Sequence, residues 1–410
     1  MIAAGLPSTC HSKRKKSVYN IDTTYERRQK YQMLKELTCD QFERVKPLFA
    51  GFDYSLSIHA AMQGNNPGRI FVDDVEHPRT AFGLTVEGYL LAGEHDNPAT
   101  LESLRAFIHE KLFTGEVFVN GDDSLSLAVH PEAWEARLPE LIPTHEAEKL
   151  ERYHYLCREL AFDWRAALPD GYTVRRIDRD LLEADDIIIP EAIGEWNDAE
   201  EYWGSVENFL TNGIGFCVLH ENQIVAQCTA DCFAGEQIDI GIVTAPVYRH
   251  KGLASIAAAA TVEYCLNHGF KAVGWHCNAE NVGSWKTAEK VGFKRNREYA
   301  YYFYIYDLVN HWAELGWLHF QREAYHKTVE YYEKVFTARD DNPDYYYHLT
   351  ALAWANLGDA QKALTYLRAA VDHGWTHAEW TKQQPAFAIL HTMPEWERIL
   401  AAMSLRTASF

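Results

Sequence analysis

Between Gln237 and Phe293 a short strand, the turn R-H-K-G-L-A (Arg249 to Ala254) and a small-residue helix follow one another directly, and this succession constrains the fold more than any other feature of the chain. The run I-D-I-G-I-V-T (Ile238 to Thr244) alternates with period two and is rich in β-branched residues, which predicts a strand stopped by Ala245 and Pro246. After Leu253 the sequence A-S-I-A-A-A-A-T-V-E-Y-C-L predicts a helix with Gly252 at its entrance. Gly252 has no side chain to keep a ligand away, and the first amides of a helix have no internal partners. A phosphate can therefore approach and accept them, and Arg249 and Lys251 add positive charge. The turn reads as a pyrophosphate cradle.

Arg249, Gly252 and Ala254 resemble the coenzyme A turn of the GNAT superfamily of N-acetyltransferases, whose pattern is Gln or Arg, two residues, Gly, one residue, then Gly or Ala. The order downstream is also similar: the apolar run K-A-V-G-W-H-C (Lys271 to Cys277), Asn281 leading a helix, V-G-F at Val291 to Phe293, and the aromatic run Glu298 to Tyr306 for the closing strands. Within that superfamily the phrases G-I-G-F-C-V-L (Gly213 to Leu219), W-H-C-N-A-E-N-V-G-S (Trp275 to Ser284) and P-G-R-I-F-V-D-D (Pro67 to Asp74) resemble the zwittermicin A resistance type. The resemblance implies an α+β fold built on a mixed sheet, in tandem with a degenerate GNAT-like half before it. Residues 25–160 contain no Arg-x-x-Gly-x-Gly or Ala turn before a helix, so they read as scaffold, and Glu146 to Leu160 reads as a charged linker helix. The catalytic half spans 171–307, and 1–24, with K-R-K-K at 13 to 16, reads as a flexible tail.

After Asp307 the pattern becomes helical and repeats, with Thr328 answered by Ala363 and small residues at Ala351, Gly358 and Ala370. It resembles tetratricopeptide repeats, in which small residues let paired helices pack closely. Residues 308–410 thus predict an all-α unit closed by His377 to Leu400, serving as a buttress, a dimerisation surface or a site for a protein partner.

The resemblance implies acetyl-CoA as cosubstrate. Backbone groups of Ile242, Val243 and Thr244 would hold pantetheine and the thioester oxygen. Arg249, His250, Lys251, Gly252, Leu253, Ala254 and Ser255 would take the pyrophosphate, and Asn281 would close the pantetheine arm or simply cap its helix. An amine nucleophile must lose a proton before attack, so a carboxylate near the thioester is useful as a base or water-mediated acceptor. Asp239 is the first candidate, because an Asp inside an apolar strand is costly unless it is paired or faces a wet cleft, and Glu236 is the second. Seven residues after Asn281, where many relatives place a proton-donating Tyr, stands Ala288; Ser284, Tyr302, His276 or water are substitutes, with Ser284 preferred. The Tyr299 to Tyr306 cluster with Trp196, Tyr202 and Trp203 could enclose an ammonium or pack as core. Glu191, Glu195, Asp198, Glu200 and Glu201 crowd the first helical region, either as a solvated face or as the border of a groove for a polyamine or aminopolyol.

A net charge of −19 argues against a nucleic-acid partner. No apolar run approaches a membrane span, and the first stretch lacks a signal peptide's apolar segment, so a cytoplasmic protein is expected. Eight cysteines in 410 residues make no disulfide framework, and Cys228 and Cys232 read as structural thiols without metal. The expectation is an N-acetyltransferase acting on a small cationic amine, such as an aminopolyol or polyamine antibiotic. The alternatives are a non-catalytic acyl-CoA-binding adaptor and a protein N-acetyltransferase.

Overall fold

In the computed structural model, which describes residues 33–117, 123–193 and 202–407, β-branched and aromatic runs from both halves of the chain pair into one mixed sheet. The first half contributes β1 (Lys35–Glu36), β2 (Gly68–Val72), β3 (Thr80–Thr85), β4 (Gly88–Gly93), β5 (Ser124–His130) and β6 (Glu148–Cys157). The second contributes β7 (Tyr172–Arg176), β8 (Gly215–His220), β9 (Gln223–Ala234), β10 (Gln237–Thr244), β11 (Ala272–Asn278) and β12 (Lys294–Ile305). Their spatial order is β1-β2-β3-β4-β5-β12-β6-β11-β10-β9-β8-β7.

This order corrects one expectation. The predicted linker helix at Glu146 to Leu160 is strand β6, and it lies in the middle of the sheet. The charged run E-K-L-E-R favours a helix locally, but β6 is hydrogen-bonded along both edges, opposite β11 from Asn278↔Arg152 to Val273↔Cys157 and opposite β12 from Phe303↔Glu148 to Lys294↔Leu156. Ladders on two sides outweigh a propensity worth a few tenths of a kcal/mol per residue. The halves have thus exchanged their last strands: β6 of the first half completes the second half's sheet, and β12 of the second pairs with β5 of the first.

Two short 3₁₀ turns, Cys39–Arg44 and Leu48–Phe52, lead into the first helix. Pro47, which cannot donate to a continuing helix, separates them, and Phe42, Val45, Phe49 and Phe52 are buried under β2 to β5. Helix α1 (Leu56–Gln63) packs on β9 of the other half through Leu56 and Ala60, while α2 (Pro98–Phe107) covers the first half's sheet through Leu104 and Phe107. In the second half come α3 (Val206–Asn212), α4 (Leu253–Asn267) and α5 (Val282–Val291). The alanines at 257 to 259 of α4 are fully buried against Ile238, Val225 and Val273, so the helix lies flush on the sheet beneath β10.

Two antiparallel helix pairs follow, α6 (Leu308–Gln321) with α7 (Tyr325–Ala338) and α8 (Asp344–Asn356) with α9 (Ala360–Asp372), and α10 (Pro394–Thr407) closes them through Trp396, Leu400 and Met403. Small residues sit where these helices touch: a Cβ on Gly316 would lie 3.1 Å from the Tyr332 ring, and Ala351, Ala363 and Ala370 are fully buried. The helical unit grips the sheet at β6. His311 Nε2 bonds the Glu146 carbonyl, the Tyr331 hydroxyl bonds the Glu146 carboxylate, and Arg322 pairs with both Glu148 and Glu280.

Candidate active site

Strands β10 and β11 run parallel, yet they pair only from Gln237↔Ala272 to Asp239↔Gly274. β10 continues to Thr244 and β11 to Asn278 without further ladder bonds between them, so their facing backbone groups border an open slot. Unpaired backbone donors and acceptors inside a sheet are costly, and an extended ligand carrying amides satisfies them as an added strand would. The slot is lined by Ile240, Gly241, Ile242, Cys277, Asn281 and Ser284, among others. Val243 and Thr244 continue the same edge, half-buried, and the Thr244 carbonyl accepts a bond from Arg249 Nε at 3.3 Å.

The slot leads to the entrance of α4. Gly252 is the N-cap residue at φ 79°, no side chain caps the helix, and His250 also takes a left-handed φ of 63°. Leu253 and Ser255 turn their side chains inward, which leaves their amides for a ligand. Arg249, His250 and Lys251 are exposed beside them. Sequence reasoning missed a further cation: Lys290 of α5 places its Nζ 3.7 Å from where a Gly252 Cβ would be. A helix start open to solvent and flanked by Arg249, Lys251 and Lys290 can bind a pyrophosphate.

Asn281 caps α5, its Oδ1 accepting the Ser284 amide at 3.1 Å, and also lines the slot. Ser284 Oγ accepts from Trp275 Nε1 at 3.0 Å and lines the slot too. Ala288 is fully buried in the core, so a tyrosine at that position would point into packed side chains rather than toward the slot.

Asp239 is 3% exposed and reaches across to β11, where its Oδ1 would lie 1.7 Å from a Cβ on residue 274; only glycine fits there. Its Oδ2 stands 3.5 Å from His276 Nε2, a close approach without a hydrogen bond, and both atoms are buried with no hydrogen-bond partner among the described residues. The Tyr299 hydroxyl is 3.0 Å from His276 Nδ1. Burial pushes the Asp239 carboxyl up to about 7 and the His276 imidazole down to about 4, so near neutrality the imidazole is uncharged and the carboxyl binds a proton far more readily than an exposed one. Asp239, His276 and Tyr299 thus lie in a row, with a hydrogen bond between Tyr299 and His276 and a 3.5 Å approach between His276 and Asp239. His154 stacks on His276 with centroids 4.5 Å apart and planes at 8°, and the Asn296 amide donates to its Nδ1. The two parallel rings direct their lone pairs side by side, a poor arrangement for sharing one metal ion. Glu236 is not brought to this chain: it lies at the exposed β9–β10 turn, paired with Lys271.

A second cavity opens off the slot, with Arg152, Ile240, Gly241 and His276 in the walls of both. It lies between the halves. The second half lends Tyr202, Asp231, Tyr299 and Tyr301, and the first lends Tyr54, Ser57 and Glu87 at the tip of the β3–β4 hairpin. Burial, and next the nearby Asp239 charge, raise the Glu87 carboxyl above the usual carboxylate range. Tyr54 packs 4.4 Å from the Tyr299 ring. Tyr302 instead pairs with β5 and is buried in the first half's core, and Trp203 is buried with its Nε1 on the Ala230 carbonyl. Glu195, Trp196, Asp198, Glu200 and Glu201 lie outside the described residues, as does the Glu191 side chain.

The first half lacks this machinery for two visible reasons. Its parallel pair stays closed from Tyr89↔Leu127 to Ala92↔His130, almost to the end of β4, and the start of α2 is filled by Pro98 and by Asn97, whose side chain accepts the Ala99 and Thr100 amides. No helix among the described residues is long and apolar enough to cross a membrane.

A model of the family described as GNAT acetyltransferase matches residues 46–302. The uncharacterised N-acetyltransferase YdfB of Bacillus subtilis is 27% identical over 274 residues, covering 66% of this chain and 98% of that protein. A second from the same organism, YnaD, is 29% identical over 147 residues, covering 34% of this chain and 79% of that protein. Among solved structures, a GCN5-related N-acetyltransferase-like protein of Streptococcus suis aligns over 64% of this chain and 98% of its own with 24% identity and a TM-score of 0.47. A tandem GNAT protein from the clavulanic acid biosynthesis pathway covers 67% and 98% with 12% identity and a TM-score of 0.43. With the family match extending over more than half of its length, the chain belongs to the GNAT acetyltransferase family.

Proposed function

We propose that this acetyltransferase moves the acetyl group of acetyl-CoA to a primary amine of a small cationic acceptor held between its two halves. The observation that carries the proposal is the continuity of the β10–β11 slot with a cavity whose walls include Glu87, Asp231 and five tyrosines. Acetyl-CoA supplies the activated acyl group, its pyrophosphate held by the amides of Leu253 to Ser255 with Arg249, Lys251 and Lys290, and its pantetheine arm by the free edge of Ile242 to Thr244 with Asn281. An ammonium enters the cavity charged and has to lose a proton. Tyr299 Oη accepts it while passing its own proton to His276 Nδ1, and His276 passes its Nε2 proton to Asp239 once the 3.5 Å between them closes to a hydrogen bond, the carboxyl's raised affinity for a proton suiting a base that works near neutrality. The coenzyme thiolate is a tolerable leaving group, and the Ser284 hydroxyl beside it can donate a hydrogen bond. The aminopolyol or polyamine antibiotic suggested by the zwittermicin A resistance resemblance belongs to this acceptor class, and the helix pairs after Asp307 offer a surface for a protein partner or a second copy.

The test is release of free thiol from acetyl-CoA across a panel of aminopolyols, polyamines, amino acids and peptides. At least one small amine is expected to raise thiol release well above hydrolysis. Saturable acetyl-CoA binding with no acceptor-dependent thiol from any amine would favour a sensing or adaptor role instead.

A further inference from the structure

The cavity contains a charged group that an all-cationic acceptor leaves unused. Arg152 lies on β6, the strand lent by the first half, opposite Asn278 of β11 and Tyr299 of β12. It lines both the slot and the cavity, at their junction. Its guanidinium lies over the rings of Tyr301 and Tyr299, at 5.6 and 6.0 Å from their centroids, its buried Nε has no hydrogen-bond partner, and among the described residues it makes no ion pair. Across the same cavity Glu87 also lacks an ion pair among the described residues. Each lies within the electrostatic reach of the other, yet they do not join in a salt bridge. Ser57 donates a hydrogen bond to the Glu87 carboxylate and two tyrosine rings face the guanidinium, but a partly buried pair of opposite charges that do not meet is still only partly compensated for its lost solvation. A ligand carrying both charges compensates the two at once.

Building on the acetyl-transfer reading, we infer that the acceptor is a zwitterion of the α-amino acid class, its carboxylate bound by Arg152 and its ammonium facing Glu87 and His276. Position favours an α-amine over a remote one. In an α-amino acid the carboxylate is attached to the carbon that bears the reacting nitrogen, and Arg152 stands where the cavity meets the slot, beside the His276 that contacts Tyr299. A guanidinium fork matches a carboxylate in two parallel hydrogen bonds, which also fixes the orientation of the amine. The step balances. The amine nitrogen forms a bond to the acetyl carbon, the carbon–sulfur bond breaks, the electron pair leaves with the thiolate, and the nitrogen's surplus proton passes through Tyr299 and His276 to Asp239.

The experiment compares L-α-amino acids with their carboxamides, which keep the amine and lose the anion, using the full chain. Thiol release is read with acetyl-CoA, and binding is read by calorimetry with the protein saturated with CoA. The amine of a carboxamide is less basic and more often neutral, so intrinsic reactivity favours the amide. A preference for the acid therefore isolates recognition of the carboxylate. At least one acid is expected to exceed its amide by about 100-fold in kcat/KM, with R152Q losing most of that ratio and R152K keeping part of it. Carboxamides or polyamines turned over as well as the acids by the unmodified protein would overturn the inference, and that comparison needs no variant. A preference for acids in binding without thiol release would uphold the Arg152 site while removing the acetyl-transfer reading on which its chemistry rests.

Discussion

Replacing Asp239 by Asn keeps the shape of the side chain and abolishes its titration, which makes it possible to measure what burial does to this carboxyl. Its ordinary value is 3.8, and in the folded protein it rises to about 7. The folded state therefore holds the proton more tightly than the unfolded chain. The group's favourable contribution is fully present below the ordinary carboxylate range and is lost as pH rises through about 7. About three pH units at ~1.36 kcal/mol each give roughly 4 kcal/mol, and proton sharing with His276 brings the expectation to roughly 2–4 kcal/mol. His276, pushed down to about 4, has the opposite sign between its folded and ordinary values, as do other buried histidines, so the wild-type profile alone decides nothing. The difference between wild type and D239N does decide, because the histidines remain in both. From pH 4 to pH 8 the variant should gain that amount relative to the wild type in urea unfolding followed by tryptophan fluorescence, for which the buried Trp275 is an adjacent reporter. In parallel, D239N should lose about 10²-fold or more in kcat/KM at neutral pH and no longer show a rise with pH through about 7. Parallel stability curves for the two proteins across that range would refute the reasoning, since the carboxyl would then titrate in the folded state as it does in water.

Gly252→Asp places negative charge and a side chain in a left-handed position at the start of α4, and should weaken acetyl-CoA binding at least 100-fold by calorimetry while leaving the fold intact. Gly274→Ala drives a Cβ into Asp239 Oδ1, so a thermal scan should show a lower Tm and the pH–rate profile should lose its acid limb; an unchanged profile would mean that the carboxylate is not held there. Arg322→Ala frees Glu280, the neighbour of Asn281, and Glu148 on β6, and should raise the Kd for acetyl-CoA several-fold. An unaltered Kd would show the helical unit to be independent of the slot.

What the sequence revealed was local. The alternation of Ile238 to Thr244, the stop at Pro246 and the small-residue helix after Gly252 are short-range signals, and all three appear as β10, a turn and α4. Asp239 stood out because a lone carboxylate in an apolar strand requires an explanation, and its Oδ2 lies 3.5 Å from His276. The remainder depended on pairing between distant residues. β6 was misread as a helix because its charged first half has helical propensity and nothing in it foretells two neighbours from the other end of the domain. Glu87 and Arg152 carried no motif; one sits at a hairpin tip and the other on a swapped strand, and only the tertiary arrangement makes them face one cavity. Glu236 drew notice by proximity in sequence, whereas three residues along a strand carry a side chain about 10 Å away, here to an exposed turn.

The exchange of β6 and β12 also sets a schedule for the growing chain. When the first half leaves the ribosome, β5 has an open edge that β12 alone will fill, and β6 waits for β11 and β12. The sheet cannot be completed until residues through Ile305 have emerged, so this protein cannot follow the usual order in which an amino-terminal unit finishes folding during synthesis. Its unpaired strands are exposed for the time needed to make more than a hundred further residues, a period in which they can join other chains. Chaperone dependence during expression, and inclusion bodies from the first half made alone, are the expected cost of joining the two halves in this way.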